Sequence, residues 1–307
     1  MESKTIKRFV RDFNLPIQIP NEEYIEYFIN LYDNILDTKE KFNMFDDLVK
    51  RLDGEEGFFV QSANIQNSII NSIKELDSYK QFISNSMDNF EVKKDNIQKG
   101  QVYKTFNHNN WFLSIDLVKA NYNALKYYSN DLVLNSNNYK SFVELFTNEQ
   151  YYLESKKFRQ VVFGNINPKR QQRIQRFLID QLLSVIMEYI SVDNIKDITS
   201  DEVVLLMNNS KINFFGTNLY RDLLIKINQL HIDVRFDLYQ LKQLKPYDYY
   251  VREFVDGRID FRCVPLNHYA QVYKHYFKQP LNEIDLMFYT SDYELVKFMY
   301  PLKFERK

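Results

Sequence analysis

The chain has 307 residues, of which 45% are apolar and 26% charged, with a net charge of -1. That composition fits a globular protein with one large core or two ordinary ones. The single Cys263 excludes an intramolecular disulfide and a cysteine-based zinc site, and no apolar run is long enough for a membrane span.

The N-terminus, MESKTIKRFVRDF, has no apolar core of signal-peptide length, so a cytoplasmic protein is expected, in a cell or in a virus-infected cell. Residues 1–95 read as a helical subdomain. NEEYIEYFINLYDNIL follows a cap at Asn21, and its Tyr24, Ile25, Phe28, Leu31, Tyr32 and Ile35 recur at helical steps. LDGEEGFF reads as a turn or short hairpin, and NIQNSIINSIKELDSYKQFI repeats the helical pattern. From residue 96 the texture changes. QVYKTF and WFLSIDL have strand composition around the turn NHNN. KANYNALKYYS and YKSFVELF read as short helices. A long helix is predicted from Pro168 to about Ile190, capped by Asn167 with Pro at its first position. ITSDEVVLLM returns to strand, with a turn or a tight hairpin tip at Ser200-Asp201. TNLYRDLLIKINQLH is helical. Beyond residue 231, IDVRFDLYQL, YYVREFV, DGRIDFRCV and IDLMFYT read as strands, with Asp256-Gly257 as a hairpin turn. The layout is α+β: a helical subdomain at 1–95, a core with a central antiparallel sheet and helices at 96–230, and a β-rich part at 231–307.

Charge is unevenly spread. Residues 1–95 hold 18 acidic and 12 basic side chains, a balance of -6, so the remainder carries +5. Between residues 156 and 176 there are seven basic residues and no acidic one: Lys156, Lys157, Arg159, Lys169, Arg170, Arg173 and Arg176. Such a run suits a phosphate partner, or is simply a solvated helix face. On a helical wheel Lys169, Arg173 and Arg176 share an arc of about 60°, opposite an apolar stripe. Lys169 and Arg170 lie in the first turn, where free backbone N–H groups favour an anion.

Asp116 ends the apolar run FLSI, and Asp201 and Glu202 precede the run VVLLM. If the two strands are neighbours, their carboxylates meet at one sheet edge. Clustered carboxylates repel unless a cation neutralises them, and hard oxygen ligands suit Mg²⁺, which takes further ligands from phosphates. Taken singly, Asp116 also fits a helix cap and Asp201 an ordinary turn residue. Tyr122 fits a core position on the following helix, and Lys119 is a candidate to contact phosphate or solvent.

The order of acidic strand end (LSID), basic helix (FGNINPKRQQRIQR) and acidic tip (SDEVVLLM) resembles motifs A, B and C of the palm-domain nucleotide polymerases. The acidic tip resembles motif C of A-family DNA polymerases, with Ser200 where that family has His, and is similar to the Ser-Asp-Glu motif of tRNA-His guanylyltransferases and the Asp-Glu of Y-family polymerases. The resemblance spans roughly residues 110–210. It implies a palm-like core and a nucleotidyltransferase that extends a nucleic-acid 3′ end from nucleoside triphosphates with two Mg²⁺ or Mn²⁺ ions. Asp116 and Asp201 would be metal ligands, with the Leu117 carbonyl completing one shell. Glu202 would be a third ligand or orient the primer end. Arg159, Lys169, Arg170, Arg173 and Arg176 would hold phosphate, and Tyr122 would exclude a 2′-hydroxyl. Accessory proteins are compatible with this reading.

Tyr249, Arg252 and Arg258, in KPYDYYVREFVDGRIDFR, are candidates for nucleic-acid contact through stacking and charge, against ordinary sheet packing. His108, His231, His268 and His275 match no metal spacing. Two other functions stay open: a non-enzymatic nucleic-acid-binding or viral assembly protein that uses residues 156–176, and a two-metal nuclease.

Overall fold

A computed structural model describes residues 3–93, 97, 99–207 and 214–305. The expected subdomain boundary at residues 95–96 lies outside the described residues. The N-terminal part consists of α1 (Ser3–Asp12), α2 (Ile25–Leu36), α3 (Thr38–Arg51), α4 (Glu55–Lys74) and α5 (Asp77–Ser84). Asn21 caps the entry to α2 by accepting from the Tyr24 N–H at 3.0 Å. LDGEEGFF contains no hairpin. Residues 52–54 turn on Gly54, whose φ of 103° favours glycine, and α4 starts at Glu55. The long periodic stretch that follows breaks into α4 and α5 around Leu76, whose ψ of 142° is extended.

The middle and C-terminal parts supply β1 (Trp111–Leu117), α6 (Ala120–Tyr128), α7 (Tyr139–Glu144), α8 (Gln150–Glu154), α9 (Lys156–Gly164) and α10 (Pro168–Ile186). They continue with β2 (Ile195–Ile198), β3 (Glu202–Met207), α11 (Asn218–Gln229), β4 (Val234–Gln243), β5 (Tyr250–Phe254), β6 (Ile259–Arg262) and α12 (Tyr269–Tyr276). β7 (Met287–Tyr289) and β8 (Leu295–Lys297) form a separate small hairpin. The class is α+β, as the element pattern predicts. Six strands form one antiparallel sheet in the order β2-β3-β1-β4-β5-β6. Strands from both sides of residue 230 belong to it, since β1 lies between β3 and β4.

Strand alternation divides the sheet residues between two faces. Leu113, Ile115, Leu117, Val203, Leu205 and Leu238 join the main core, and α10 runs against β3 and α6 on that side. The second face is itself divided. Phe112, Val204, Tyr239, Leu241 and Tyr250 form a small apolar cluster covered by Val102. The rest of that face, towards the C-terminal end of β1, is charged.

The expected strand QVYKTF is a loop that covers the apolar cluster. Its backbone bonds close turns, Lys104 N–H to Val102 and Asn107 N–H to Lys104, and the Asn107 amide donates to the Gln101 and Val102 carbonyls. These local bonds compete with a strand ladder. α10 ends at Ile186 rather than near residue 190, and Asn167 caps it, with its side chain accepting from the Arg170 N–H.

Candidate active site

Asp116 reaches the charged part of the second face by alternation with Phe112 and Ser114 on β1. β2 and β3 form a tight hairpin closed by the Thr199 N–H bond to the Glu202 carbonyl at 2.9 Å. Its tip is Thr199-Ser200-Asp201. The Thr199 hydroxyl accepts from the Glu202 N–H at 3.0 Å and donates to the Asp201 carboxylate at 3.0 Å. The tip is tied to the end of β1, where the Leu117 N–H donates to the Asp201 carbonyl at 2.7 Å. In register, Asp116 stands directly opposite Glu202 on one side and Arg235 on the other.

Like charges directly opposite one another on a sheet are destabilising, so each carboxylate needs a partner. Arg235 lies 3.3 Å from Asp116 and 2.7 Å from Asp237. Glu202 accepts from Ser114 at 2.5 Å and from Arg252 at 3.3 Å. Arg258 bonds Asp237 at 2.5 Å and Asp256 at 2.7 Å. Apart from Asp256, these groups line a cleft of about 350 Å³, closed on one side by Ile35 and Leu36 of α2. Arg235 does not offset the burial of Asp116. Burial is the largest influence, and Asp201, Glu202 and Asp237 add repulsion, so the Asp116 carboxyl is pushed up to about 6. A carboxyl titrating there is a feature of functional sites.

On the helical side of the hairpin tip lies a second cavity, of about 280 Å³. Ser200 lines it together with Asn121, Gln160, Gln172, Gln175 and Arg176. The other expected phosphate ligands diverge. Arg170 directs both terminal nitrogens to the Asn85 carbonyl at 2.9 Å, and Arg173 donates to the Phe90 carbonyl at 3.2 Å. They tie α10 to the N-terminal part. Lys169 and Arg176 line a shallow groove beside Phe90 and Val92. Arg159 stands apart from these, beside Lys119, and both cations lie against the ring of Tyr139.

Tyr122 is buried, with its hydroxyl donating to the Ser136 carbonyl at 2.7 Å and its ring against Tyr139 and Phe142. That is the core placement, away from the charged cleft. The Leu117 side chain is also in the core. Tyr249 lies outside the cleft, stacked on Tyr247 at 5.1 Å and bonded to His268 at 2.5 Å. Arg252 and Arg258 are in the cleft, held by carboxylates. Arg252 is 6% exposed, donates to the Tyr103 hydroxyl at 2.8 Å and lies against the rings of Tyr103 and Tyr239.

Sequence reasoning missed Ser114, Arg235 and Asp237. The signal for them was alternation: Ser114 shares a face with Asp116, and the RFD of β4 puts Arg235 and Asp237 on one face of a strand that is otherwise largely apolar.

Among the described residues, no group of three or more His, Cys, Asp and Glu side chains is arranged to hold a metal ion. Two carboxylates, Asp116 in the cleft and Asp201 at the hairpin tip, where it accepts from Thr199, repel each other, which is part of what raises Asp116. Such a set fits Mg²⁺, which keeps waters and takes its remaining ligands from phosphates rather than from an all-protein cage. Comparison with protein-family models, curated proteins and solved structures finds no match to this chain.

Proposed function

We propose that this protein is a metal-dependent nucleotidyltransferase that extends a nucleic-acid 3′ end from nucleoside triphosphates. The observation that carries the proposal is the pairing of Asp116 with the Asp201-Glu202 hairpin tip on adjacent antiparallel strands. There a raised carboxyl lies beside further carboxylates on one sheet face. Asp116 and Asp201 would hold Mg²⁺ or Mn²⁺. Held there, the ions would supply a lowered pKa to the attacking 3′-hydroxyl and positive charge to the leaving pyrophosphate. Ser114 and Arg252 fix Glu202 so that it orients the primer end. Arg235 holds Asp116 in place until the substrate arrives. Lys119 and Arg159 supply positive charge on the helical side.

Incubating a labelled primer-template with Mg²⁺ and either set of nucleoside triphosphates tests the proposal. Lengthened strands are expected from the wild type, and none from Asp116→Ala or Asp201→Ala with their folds intact. Full activity in either variant overturns the assignment, and shortened strands make the protein a nuclease.

A second reading, a nucleic-acid-binding or viral assembly protein without chemistry, is favoured by one observation. Arginines of the cleft already pair with its carboxylates, in a chain Asp116–Arg235–Asp237–Arg258 and a separate pair Glu202–Arg252. In that case binding falls with salt and is indifferent to divalent ions.

A further inference from the structure

We propose that Lys119 and Arg159, seated together on the ring of Tyr139, form an oxyanion site that takes the polyphosphate of a nucleotide. The Lys119 Nζ lies 5.8 Å and the Arg159 guanidinium carbon 5.6 Å from the centre of that ring. Apart from this shared aromatic contact, neither side chain makes a hydrogen bond or an ion pair among the described residues. Most other arginines of the chain meet an acceptor, Arg176 and Arg221 being the exceptions among the described residues. Arg8, Arg51, Arg235, Arg252, Arg258 and Arg262 each meet a carboxylate. Arg170 and Arg173 meet backbone carbonyls.

Arg159 is half-buried and Lys119 more exposed, and two like charges gathered at one ring repel each other with no carboxylate bonded to either among the described residues. The electrostatics agree. Burial lowers the Lys119 ammonium, and Arg159 and Arg235 lower it further. Burial also lowers Arg159. Glu154 favours the Lys119 charge, but its carboxylate is bonded to the Gln150 amide at 2.5 Å. Lys119 also has φ 48° at the turn between β1 and α6, a left-handed conformation that is uncommon for a lysine and is often retained at functional sites. An anion with several oxygens removes the repulsion and satisfies the donors of both side chains at once.

The turn places Lys119 three residues after Asp116 in the chain, on the helical side of the sheet. That the anion belongs to a nucleotide rests on the proposed function. The oxyanion site itself does not.

The probe is inorganic tripolyphosphate, titrated calorimetrically into the full chain without divalent ions. The expected result is salt-sensitive binding that weakens about tenfold or more in each of Lys119→Gln and Arg159→Gln and is unchanged in Arg170→Gln. Both glutamine variants should be at least as stable as the wild type, because each removes one of two repelling charges, whereas a structural role would lower stability. Unchanged binding in both variants, or no binding by the wild type, overturns the site. Competition separates the sources of phosphate. Displacement of the probe by a nucleoside triphosphate supports the nucleotide, and displacement by a single-stranded oligonucleotide alone overturns that part. If the site binds tripolyphosphate while the Asp116→Ala protein keeps full activity, the proposed reaction fails and the anion site stands. If activity depends on Asp116 while the variants bind normally, the reverse holds.

Discussion

Asp12 and Asp116 are both carboxylates placed beside arginine, and their surroundings give them different uses. Asp12, at the end of α1, is fully buried. It is bonded by Arg8 at 2.5 Å and by the Tyr151 hydroxyl, inside a cluster of Phe9, Phe45, Phe58 and Tyr151 rings. Nothing can reach it. Asp116 is half-buried at a cleft, has Arg235 at 3.3 Å, and faces three further carboxylates whose charges raise it. The first arrangement uses ionic chemistry to fix a fold. The second leaves a carboxylate incompletely compensated where a ligand can enter. The difference lies in full burial on one side and in the further carboxylates around an accessible Asp116 on the other, not in residue type.

The largest expected effect on stability is at the first centre. Asp12→Ala leaves Arg8 without its partner next to aromatic rings and is expected to lose about 3–5 kcal/mol in denaturant unfolding. A loss below about 1 kcal/mol would erase the contrast with Asp116. Arg252→Gln should follow, at about 3 kcal/mol, because Glu202 loses its cation and two tyrosine rings lose the guanidinium against them.

Asp116→Asn sharpens the comparison through pH. The folded-state pKa of Asp116 is raised from 3.8 to about 6. Its protonated form therefore stabilises the fold below the unfolded value, and that contribution disappears as pH rises through about 6. Wild type should lose about 1–2 kcal/mol relative to Asp116→Asn between pH 4 and pH 7, after allowance for solvent screening. Paired unfolding curves at the two ends of that range read the change, and a flat difference contradicts it. The smallest effect is Tyr122→Phe, which removes one hydrogen bond to Ser136 and should cost about 1 kcal/mol in thermal unfolding.

Much of the fold was legible because the central strands are short apolar runs of strand composition, buried almost throughout. WFLSIDL is β1 residue for residue, and the SDE tip emerges as the turn of the β2–β3 hairpin. The loop at 101–107 was not legible, since Val102 and Tyr103 have strand-like composition while the backbone partners that decide the matter come from Asn107. In the site, Asp116 and the acidic tip could be read from their places at strand ends. Arg235 and Asp237 could not, because only the pairing of β1 with β4 brings them to Asp116 across more than a hundred residues of chain. The basic run was misleading in detail. Its cations look equivalent in sequence, yet Arg170 and Arg173 are tied to the N-terminal part while Arg159 joins Lys119, which lies outside the run.

The most direct measurement is Mn²⁺ binding to the full chain in the presence of a non-hydrolysable nucleoside triphosphate, followed by calorimetry for wild type, Asp116→Asn and Asp201→Asn. If the end of β1 and the hairpin tip form one reactive centre, the wild type binds the ion and either substitution abolishes that binding. Binding that survives both substitutions, or a wild type that takes up no ion, contradicts the account.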